Sequence, residues 1–193
     1  MNRRNLFALA AFALIARAAV PRAASAAAVG ASAHDFAFTD IDGAPMPLSQ
    51  FAGKALLVVN TASRCGFTGQ YAGLQALWKR YRDKGLVVIG VPSDAYNQEL
   101  SGDAAVKDFC ETNYSVDFPL TAITEIKGPR AHPFYAWAAQ ALGPMNAPRW
   151  NFHKYLIDGE GRAAAAFGTS VEPMSAKVLS AVEKVLTKAS PAA

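Results

Sequence analysis

The chain has 193 residues, of which 52% are hydrophobic, and 19 basic residues against 15 acidic ones give it a formal charge of +4. Four of the basic residues are arginines within the first 33 positions, which contain no acidic residue, so residues 34–193 carry no formal net charge. A basic surface for nucleic acid is therefore not indicated. The roughly 160 residues after the first 33 suffice for one domain with a hydrophobic core.

Residues 1–33 have the composition of an export signal. A basic start containing Arg3 and Arg4 leads into a short apolar run that ends at Ile15, followed by alanine-rich sequence with two sites of the A-x-A type. The apolar run is shorter than the ~20 residues that a membrane-spanning helix needs. We therefore predict a cleavable signal of the twin-arginine or general secretory type, a periplasmic mature chain and no stable membrane insertion.

Hydrophobic periodicity and turn residues predict alternating strands and helices in the first half of the mature chain. Continuous apolar runs indicate strands buried on both faces of a parallel sheet, whereas apolar residues three and four apart indicate helices. The predicted elements are a hairpin signal at residues 36–43, a buried strand at residues 55–61, a helix through Leu74, Leu77, Trp78 and Tyr81 that ends at Gly85, a second buried strand at residues 86–91, and a helix N-capped by Asp103. This order predicts a right-handed parallel crossover.

The second half predicts helices around an antiparallel edge. Its elements are a short extended piece at residues 118–123, a helix from Pro133 that Gly143 closes, strands at residues 150–157 and 162–167 joined by a turn at residues 158–161, and an amphipathic helix at residues 175–186. A parallel crossover followed by an antiparallel edge is typical of an α/β protein with a thioredoxin-like fold, a central mixed β-sheet flanked by helices. We predict a single domain of this class over residues 34–193.

Cys65 is the position with the clearest chemical signature. It follows the strand predicted at residues 55–61 and comes just before a helical pattern, where free N–H groups and the helix dipole favour thiolate over thiol. Arg64 adds positive charge beside it. Thr68 occupies the fourth place of the Cys-Gly-Phe-Thr tetrapeptide, so the chain is not a disulfide exchanger of the C-x-x-C type.

Cys110 is the only other cysteine of the chain. In an exported protein, two cysteines are compatible with one structural disulfide. Alternatively, a thiolate that attacks a peroxide becomes a sulfenic acid, which a second thiol condenses to a disulfide, and Cys110 is the only candidate for that thiol. Because Cys110 falls on the apolar face of a predicted helix, we expect residues 103–114 to unfold locally for the disulfide to close.

Several segments of the chain resemble the glutathione peroxidase family in sequence and in order. They are Val59–Thr68 (VNTASRCGFT), Phe109–Pro119 (FCETNYSVDFP), Gly128–Tyr135 (GPRAHPFY) and Arg149–Phe152 (RWNF), within a resemblance that spans residues 36–186. The resemblance implies that Cys65 is the peroxidatic nucleophile and that Trp150 and Asn151 donate hydrogen bonds to its sulfur. It also implies that Cys110 is the resolving cysteine of thioredoxin-dependent members. Gln98 matches the family's glutamine, in a loop one residue shorter than usual.

The function that this resemblance implies is reduction of hydrogen peroxide and of organic or lipid hydroperoxides. The reductant is expected to be a thioredoxin-like protein or glutathione. Only six residues separate Gly143 from Trp150, where tetrameric family members carry a long insertion that builds subunit contacts, so a monomer is expected. We predict no cofactor, no metal and no nucleic-acid partner.

Other hypotheses remain open at the level of sequence. The protein is alternatively a peroxide sensor whose cysteine pair signals without turnover, or an inactive homologue with a structural Cys65–Cys110 disulfide. Without the family resemblance, Trp150 is typical of a core residue, Asn151 of a turn and Cys110 of a small buried hydrophobe. The histidines at positions 34, 132 and 153 show no ligand spacing and are interpreted as surface or capping groups.

Overall fold

A computed structural model describes the backbone of residues 32–189 and the side chains of residues 32–187. Residues 1–31 of the predicted signal lie outside the described residues. The elements that follow are β1 (Ala37–Thr39), β2 (Pro45–Pro47), β3 (Ala55–Thr61), α1 (Gln70–Tyr81), β4 (Leu86–Pro92), α2 (Asp103–Tyr114), α3 (Pro133–Leu142), β5 (Lys154–Ile157), β6 (Ala163–Phe167) and α4 (Ala176–Ala189).

The main sheet has the strand order β4-β3-β5-β6, with β3 at its centre. Strand β3 runs parallel to β4 and antiparallel to β5, and β6 is antiparallel to β5. Val58 lies opposite Ile89 on one side and opposite Tyr155 on the other. Strands β1 and β2 form a separate antiparallel pair. The predicted mixed sheet, with one parallel pair and an antiparallel edge, is confirmed.

The two central strands of the main sheet, β3 and β5, are buried along their whole length because helices cover both faces of the sheet. Leu57 and Val59 of β3 face an apolar cluster that contains side chains of α1, α2 and α4. Leu56 and Val58 alternate with them and face a second cluster, which contains side chains of α3. Each such buried side chain stabilises the fold by ~1.5–3 kcal/mol. This packing fixes the carboxyl end of β3, from which the chain continues towards Cys65.

The start of β5 differs from the prediction. The predicted strand at residues 150–157 is regular only from Lys154, and Trp150–Phe152 form a turn. Phe152 has a φ of 61°, which removes it from the extended region, while its N–H donates to the Asn60 carbonyl at 2.6 Å. The prediction was wrong here because contacts with β3 override the strand propensity of these residues.

The predicted N-terminus of α2 is wrong by one residue, whereas that of α3 is confirmed. Gly102, with a φ of 91°, is the N-cap of α2, so Asp103 is the first helical residue and not the cap. The Asp103 carboxylate instead accepts the Ile123 N–H at 2.7 Å. Helix α3 begins at Pro133 as predicted, and the His132 ring accepts the Phe134 N–H, which confirms a capping role. None of the helices within residues 32–189 is both long and apolar enough to span a membrane.

The extended piece predicted at residues 118–123 forms only isolated bridges. Leu120 bridges to Gly90 in parallel orientation, and Thr121 bridges to Asp40 in antiparallel orientation. Gly90 also donates its N–H to Pro119 and accepts the Thr121 N–H, both at 2.9 Å. The segment therefore packs closely against β4 without forming a fifth strand of the main sheet.

This close packing makes Gly90 intolerant of a side chain. A Cβ at Gly90 would lie 2.6 Å from Leu120 Cδ2 and 3.2 Å from Phe118 Cε2. We expect G90A to destabilise the protein by ~1–3 kcal/mol through overpacking, measured by chemical denaturation. The matched control is G69A, where a Cβ meets no atom within 4 Å, and its effect is expected to stay within ~0.5 kcal/mol. Equal stability of the two variants would contradict this account of the packing.

Candidate active site

Cys65 lies in the turn between β3 and α1, with 7% of its surface exposed. Its Sγ accepts a hydrogen bond from the Phe67 N–H at 3.4 Å. The Thr68 hydroxyl closes the turn, because Thr68 Oγ1 accepts the Cys65 N–H at 3.0 Å and lies 2.6 Å from the Cys65 carbonyl oxygen. A backbone N–H directed at the sulfur stabilises negative charge there. The residue in the fourth place of the tetrapeptide thus shapes the turn that holds the thiol.

Gln98 and Asn151 come together beside this turn. The Asn151 side-chain amide donates to Gln98 Oε1 at 2.9 Å, and the Gln98 carbonyl accepts the Arg64 N–H at 2.8 Å. Asn97 precedes Gln98 with a φ of 56°, a conformation that asparagine adopts more readily than most residues. The loop therefore places the Gln98 backbone against Arg64, the neighbour of Cys65.

Trp150 is held by its backbone and leaves its indole at the surface. Its carbonyl accepts the Asn60 side-chain amide at 3.1 Å, and its ring lies against Tyr96 with centroids 5.0 Å apart. The residue is 40% exposed, so it is not a core tryptophan, whereas Asn151 is fully buried. The turn at residues 150–152 thus presents an exposed indole next to a buried amide.

Cys110 is fully buried on α2, within the same apolar cluster as Cys65, and both cysteines are free thiols. Burial raises the pKa of the Cys110 thiol to about 11, an effect that the nearby Tyr71 hydroxyl partly opposes. That hydroxyl is itself buried and completes no hydrogen bond of ordinary geometry with the described residues. Cys110 is therefore protonated and enclosed in this state, so we expect α2 to open before its sulfur reacts.

The comparisons with known proteins identify the family. The family model for glutathione peroxidase matches residues 33–139. The chain belongs to the glutathione peroxidase family. The hydroperoxy fatty acid reductase gpx1 of Synechocystis sp. is 41% identical over 162 residues, which cover 79% of this chain and 95% of that protein. The glutathione peroxidase-like peroxiredoxin gpx1 of Schizosaccharomyces pombe is 38% identical over 143 residues, which cover 72% and 90%.

Solved structures agree with this assignment. The crystal structure of Trgpx in its apo form aligns with a TM-score of 0.66 at 28% sequence identity, covering 83% of this chain and 99% of that chain. Thioredoxin-family structures of lower identity align as well, which confirms the predicted thioredoxin-like fold. The protein is thus a glutathione peroxidase-like enzyme, and it reduces peroxides at the expense of thiols.

Glu99 is a residue of this glutathione peroxidase site that sequence reasoning did not single out. Its Oε1 accepts the Ser63 N–H at 2.9 Å and the Leu100 N–H at 2.8 Å, so it ties the Cys65 turn to the Gln98 loop. Burial raises the pKa of this carboxyl group, which is 6% exposed. Its position directly after Gln98 was visible in the sequence, but its hydrogen bond to a residue 36 positions away was not.

The Asn151–Gln98 pair gives a testable expectation for the peroxidase. In N151A the amide that holds the Gln98 side chain is lost, and we expect the rate constant for oxidation of Cys65 by hydrogen peroxide to fall by ~10²-fold, the scale found when one group of a preorganised hydrogen-bonded site is removed. The rate is measured in single-turnover stopped-flow experiments. The control is N113A, which removes an exposed amide from α2. Equal rates for N151A and N113A would remove Asn151 from the site.

His153 was predicted to be a surface or capping group, and that prediction was wrong. The ring is buried, with 7% of the residue exposed, and packs edge-on against Tyr155 with centroids 4.8 Å apart. Burial, and secondly the positive charge of Lys154, lower the pKa of His153 to about 4 from its ordinary 6.5. The residue is therefore neutral in the folded enzyme at neutral pH, because charging it inside the protein is costly.

This shift gives the folded state a pH dependence. A histidine with a lowered folded-state pKa contributes stability that is complete above pH 6.5 and is lost as the pH falls towards 4. We expect wild type to lose roughly 3 kcal/mol more than H153Q between pH 7 and pH 4. Chemical denaturation at pH 7, 5.5 and 4 measures the difference. Parallel pH profiles for the two proteins would contradict the buried neutral state of His153.

Proposed function

We propose that the protein reduces peroxides through a cycle of two cysteines. The Cys65 thiolate attacks one peroxide oxygen, the O–O bond breaks, and the departing oxygen takes a proton and leaves as water or an alcohol. Cys65 is then a sulfenic acid. The Cys110 thiolate attacks its sulfur, hydroxide leaves and becomes water, and a Cys65–Cys110 disulfide remains. Two thiol groups of the reductant then return both cysteines to the thiol state by two successive exchanges through a mixed disulfide, and the reductant's own thiols become a disulfide.

The observation that supports this proposal most is the environment of the Cys65 sulfur. A backbone N–H points at it, and the paired amides of Gln98 and Asn151 are fixed beside its turn. In the proposed cycle Gln98, Trp150 and Asn151 supply hydrogen bonds to the thiolate and to the oxygen that leaves. Hydrogen-bond donors directed at these atoms lower the barrier because they stabilise the negative charge that develops there.

A protein dithiol is the proposed reductant, with glutathione as the alternative. A disulfide that closes within one chain is reduced most directly by a second pair of thiols, because the mixed disulfide is then resolved intramolecularly. The relative from Schizosaccharomyces pombe is named a peroxiredoxin. Since the proposed location is outside the cytoplasm, the donor would be a thioredoxin-like protein of that compartment.

The surface next to the site fits peroxides that carry an apolar chain. Phe67 and Trp150 are 38% and 40% exposed, and Met145, within hydrogen-bond distance of Arg149, is 72% exposed. The relative from Synechocystis sp. is named a hydroperoxy fatty acid reductase. We therefore propose organic and lipid hydroperoxides as substrates in addition to hydrogen peroxide.

Export and a monomeric state complete the proposal. The Ala33 N–H donates to the Gly161 carbonyl at 2.9 Å, and Ala33 is fully buried. Signal cleavage at residues 24–26 would keep this contact, whereas cleavage after Ala33 would break it. We therefore propose cleavage at the earlier site, and the export-signal composition of residues 1–33 supports a periplasmic location. A monomer is favoured by the short connection between Gly143 and Trp150.

Steady-state turnover tests the proposed function. Hydrogen peroxide and a fatty acid hydroperoxide are each supplied with either a thioredoxin system or a glutathione system, and NADPH oxidation is followed. We expect sustained turnover, faster with thioredoxin than with glutathione. A single oxidation event that neither donor reverses would favour the peroxide sensor, and absence of any oxidation would favour the inactive homologue.

A further inference from the structure

Lys154, the first residue of β5, is a charged side chain in the core. It is fully buried, and none of the ion pairs found within residues 32–189 includes it. Its Nζ donates to the Phe152 carbonyl at 2.7 Å. Burial lowers the pKa of the ammonium group to about 8, and the charge of Glu172 partly opposes this. Burying an ammonium without a carboxylate partner is costly, so this position calls for a physical reason.

The acceptor of this hydrogen bond belongs to the turn that carries Trp150 and Asn151. Phe152 has a φ of 61°, which for a bulky side chain is a sparsely populated conformation that costs ~1–3 kcal/mol. Its ring is fully buried and packs edge-on against Tyr71 with centroids 5.5 Å apart. Such a conformation persists only where surrounding contacts enforce it.

Side chains from three different parts of the chain hold three successive carbonyl groups of this turn. Asn60 Nδ2 donates to the Trp150 carbonyl at 3.1 Å, Thr169 Oγ1 to the Asn151 carbonyl at 2.8 Å and Lys154 Nζ to the Phe152 carbonyl at 2.7 Å. Backbone carbonyls in a regular strand are held by the neighbouring strand, and here side chains take that role. The turn is thereby fixed from β3, from the segment after β6 and from β5.

We propose that Lys154, together with Thr169, is a positioning residue for the peroxide reaction. The two side chains hold the carbonyls of Asn151 and Phe152 so that the turn keeps Trp150 and Asn151 in place beside Cys65. This inference rests on the proposed roles of Trp150 and Asn151. It accounts for a buried charge in β5, where the facing residues Val59 and Phe167 are apolar.

The substitution K154M distinguishes a positioning role of Lys154 from a purely structural one. Replacing a buried, unpaired charge by an apolar side chain of similar length is often neutral or stabilising. K154M is therefore expected to unfold at the same temperature as wild type or higher, while the rate constant for Cys65 oxidation falls by about tenfold or more because the turn is misplaced. In a structural role, rate and stability would fall together.

The experiment measures the single-turnover rate constant with hydrogen peroxide, the unfolding temperature and the NMR signals of the Asn151 amide and the Trp150 indole. The control is I157V at the other end of β5, expected to unfold earlier at an unchanged rate constant. We expect both NMR signals to shift in K154M and to stay in place in I157V. A K154M rate constant equal to that of wild type would overturn the proposal, as would a loss that merely follows stability.

A second pair of variants tests the same role at Thr169, whether or not K154M folds. T169V removes the hydroxyl that reaches the Asn151 carbonyl, whereas T169S retains it. We expect T169V to react more slowly and T169S to react like wild type, and equal rates for both would overturn the proposal. A wild-type protein whose Cys65 does not react with peroxide would refute the proposed function itself, whereas equal reactivity of wild type and variants refutes the positioning role alone.

Discussion

Replacing Cys65 with serine is expected to abolish peroxide turnover. In C65S we predict that kcat/KM for hydrogen peroxide falls on the order of 10³-fold or more, because a hydroxyl is a far poorer nucleophile than a thiolate and gains no help from a neighbouring base. The peroxide-dependent oxidation of NADPH in the presence of a thioredoxin system measures the loss.

Serine has nearly the volume of cysteine, so the effect of C65S on turnover can be measured without a large effect on stability. The C65S unfolding temperature is expected to stay close to that of wild type, since the turn is closed by Thr68 and not by the sulfur. A matched control is T187S, which keeps the exposed hydroxyl on α4 and removes only a methyl group. Retention of more than a trace of turnover in C65S would mean that the peroxide is reduced elsewhere in the protein.

Replacing Cys110 with serine is expected to separate the two halves of the cycle. In C110S the oxidation of Cys65 should proceed at the wild-type rate, whereas turnover with a dithiol protein donor should fall by on the order of 10²-fold, because no second thiol condenses the sulfenic acid. Trapping with dimedone followed by mass spectrometry should find the sulfenic acid at Cys65 in C110S and a disulfide in wild type. Full turnover of C110S would remove Cys110 as the resolving thiol.

The burial of Cys110 predicts a conformational step between these halves. Because its sulfur is enclosed and its pKa is raised to about 11, we expect α2 to loosen before a thiolate forms there. Amide hydrogen exchange in residues 103–114 should therefore be faster in oxidised than in reduced wild type. Equal protection in both states would mean that the disulfide closes without opening the helix, which the packing of Val106 and Cys110 in the core makes costly.

The sequence predicted the central part of the fold because its signals there are local. Strand β3 and strand β4 are continuous apolar runs bounded by turn residues, and they are buried on both faces as that pattern requires. Helix α3 has Pro133 at its start and Gly143 at its end, and both residues stand where helix termini favour them. In these segments local propensity and tertiary packing agree.

The errors arise where distant residues decide the local structure. Residues 150–153 were predicted to belong to a strand, yet hydrogen bonds from Asn60 and Thr169 hold residues 150–152 in a turn. Asp103 has the chemistry of an N-cap, but its carboxylate is used by the Ile123 N–H. These partners are distant in sequence, and periodicity and capping rules use only neighbouring residues, so the rules could not predict the contacts.

In the active site, too, the sequence predicted the residues that belong to motifs and not those whose role depends on distant contacts. Family resemblance named Cys65, Gln98, Trp150, Asn151 and Cys110, and the structure pairs Gln98 with Asn151 beside the Cys65 turn and buries Cys110. The residues that hold this arrangement, Glu99 and Lys154, were not predicted. Both act through hydrogen bonds to backbone groups, and such a role depends on where the chain passes and not on a recognisable motif.

The two-cysteine cycle is tested most simply by mixing fully reduced protein with one equivalent of hydrogen peroxide and following both reactants. We expect the peroxide to be consumed, both thiols to disappear, and peptide mapping to recover Cys65 joined to Cys110. Peroxide that persists while both thiols remain free would contradict this cycle.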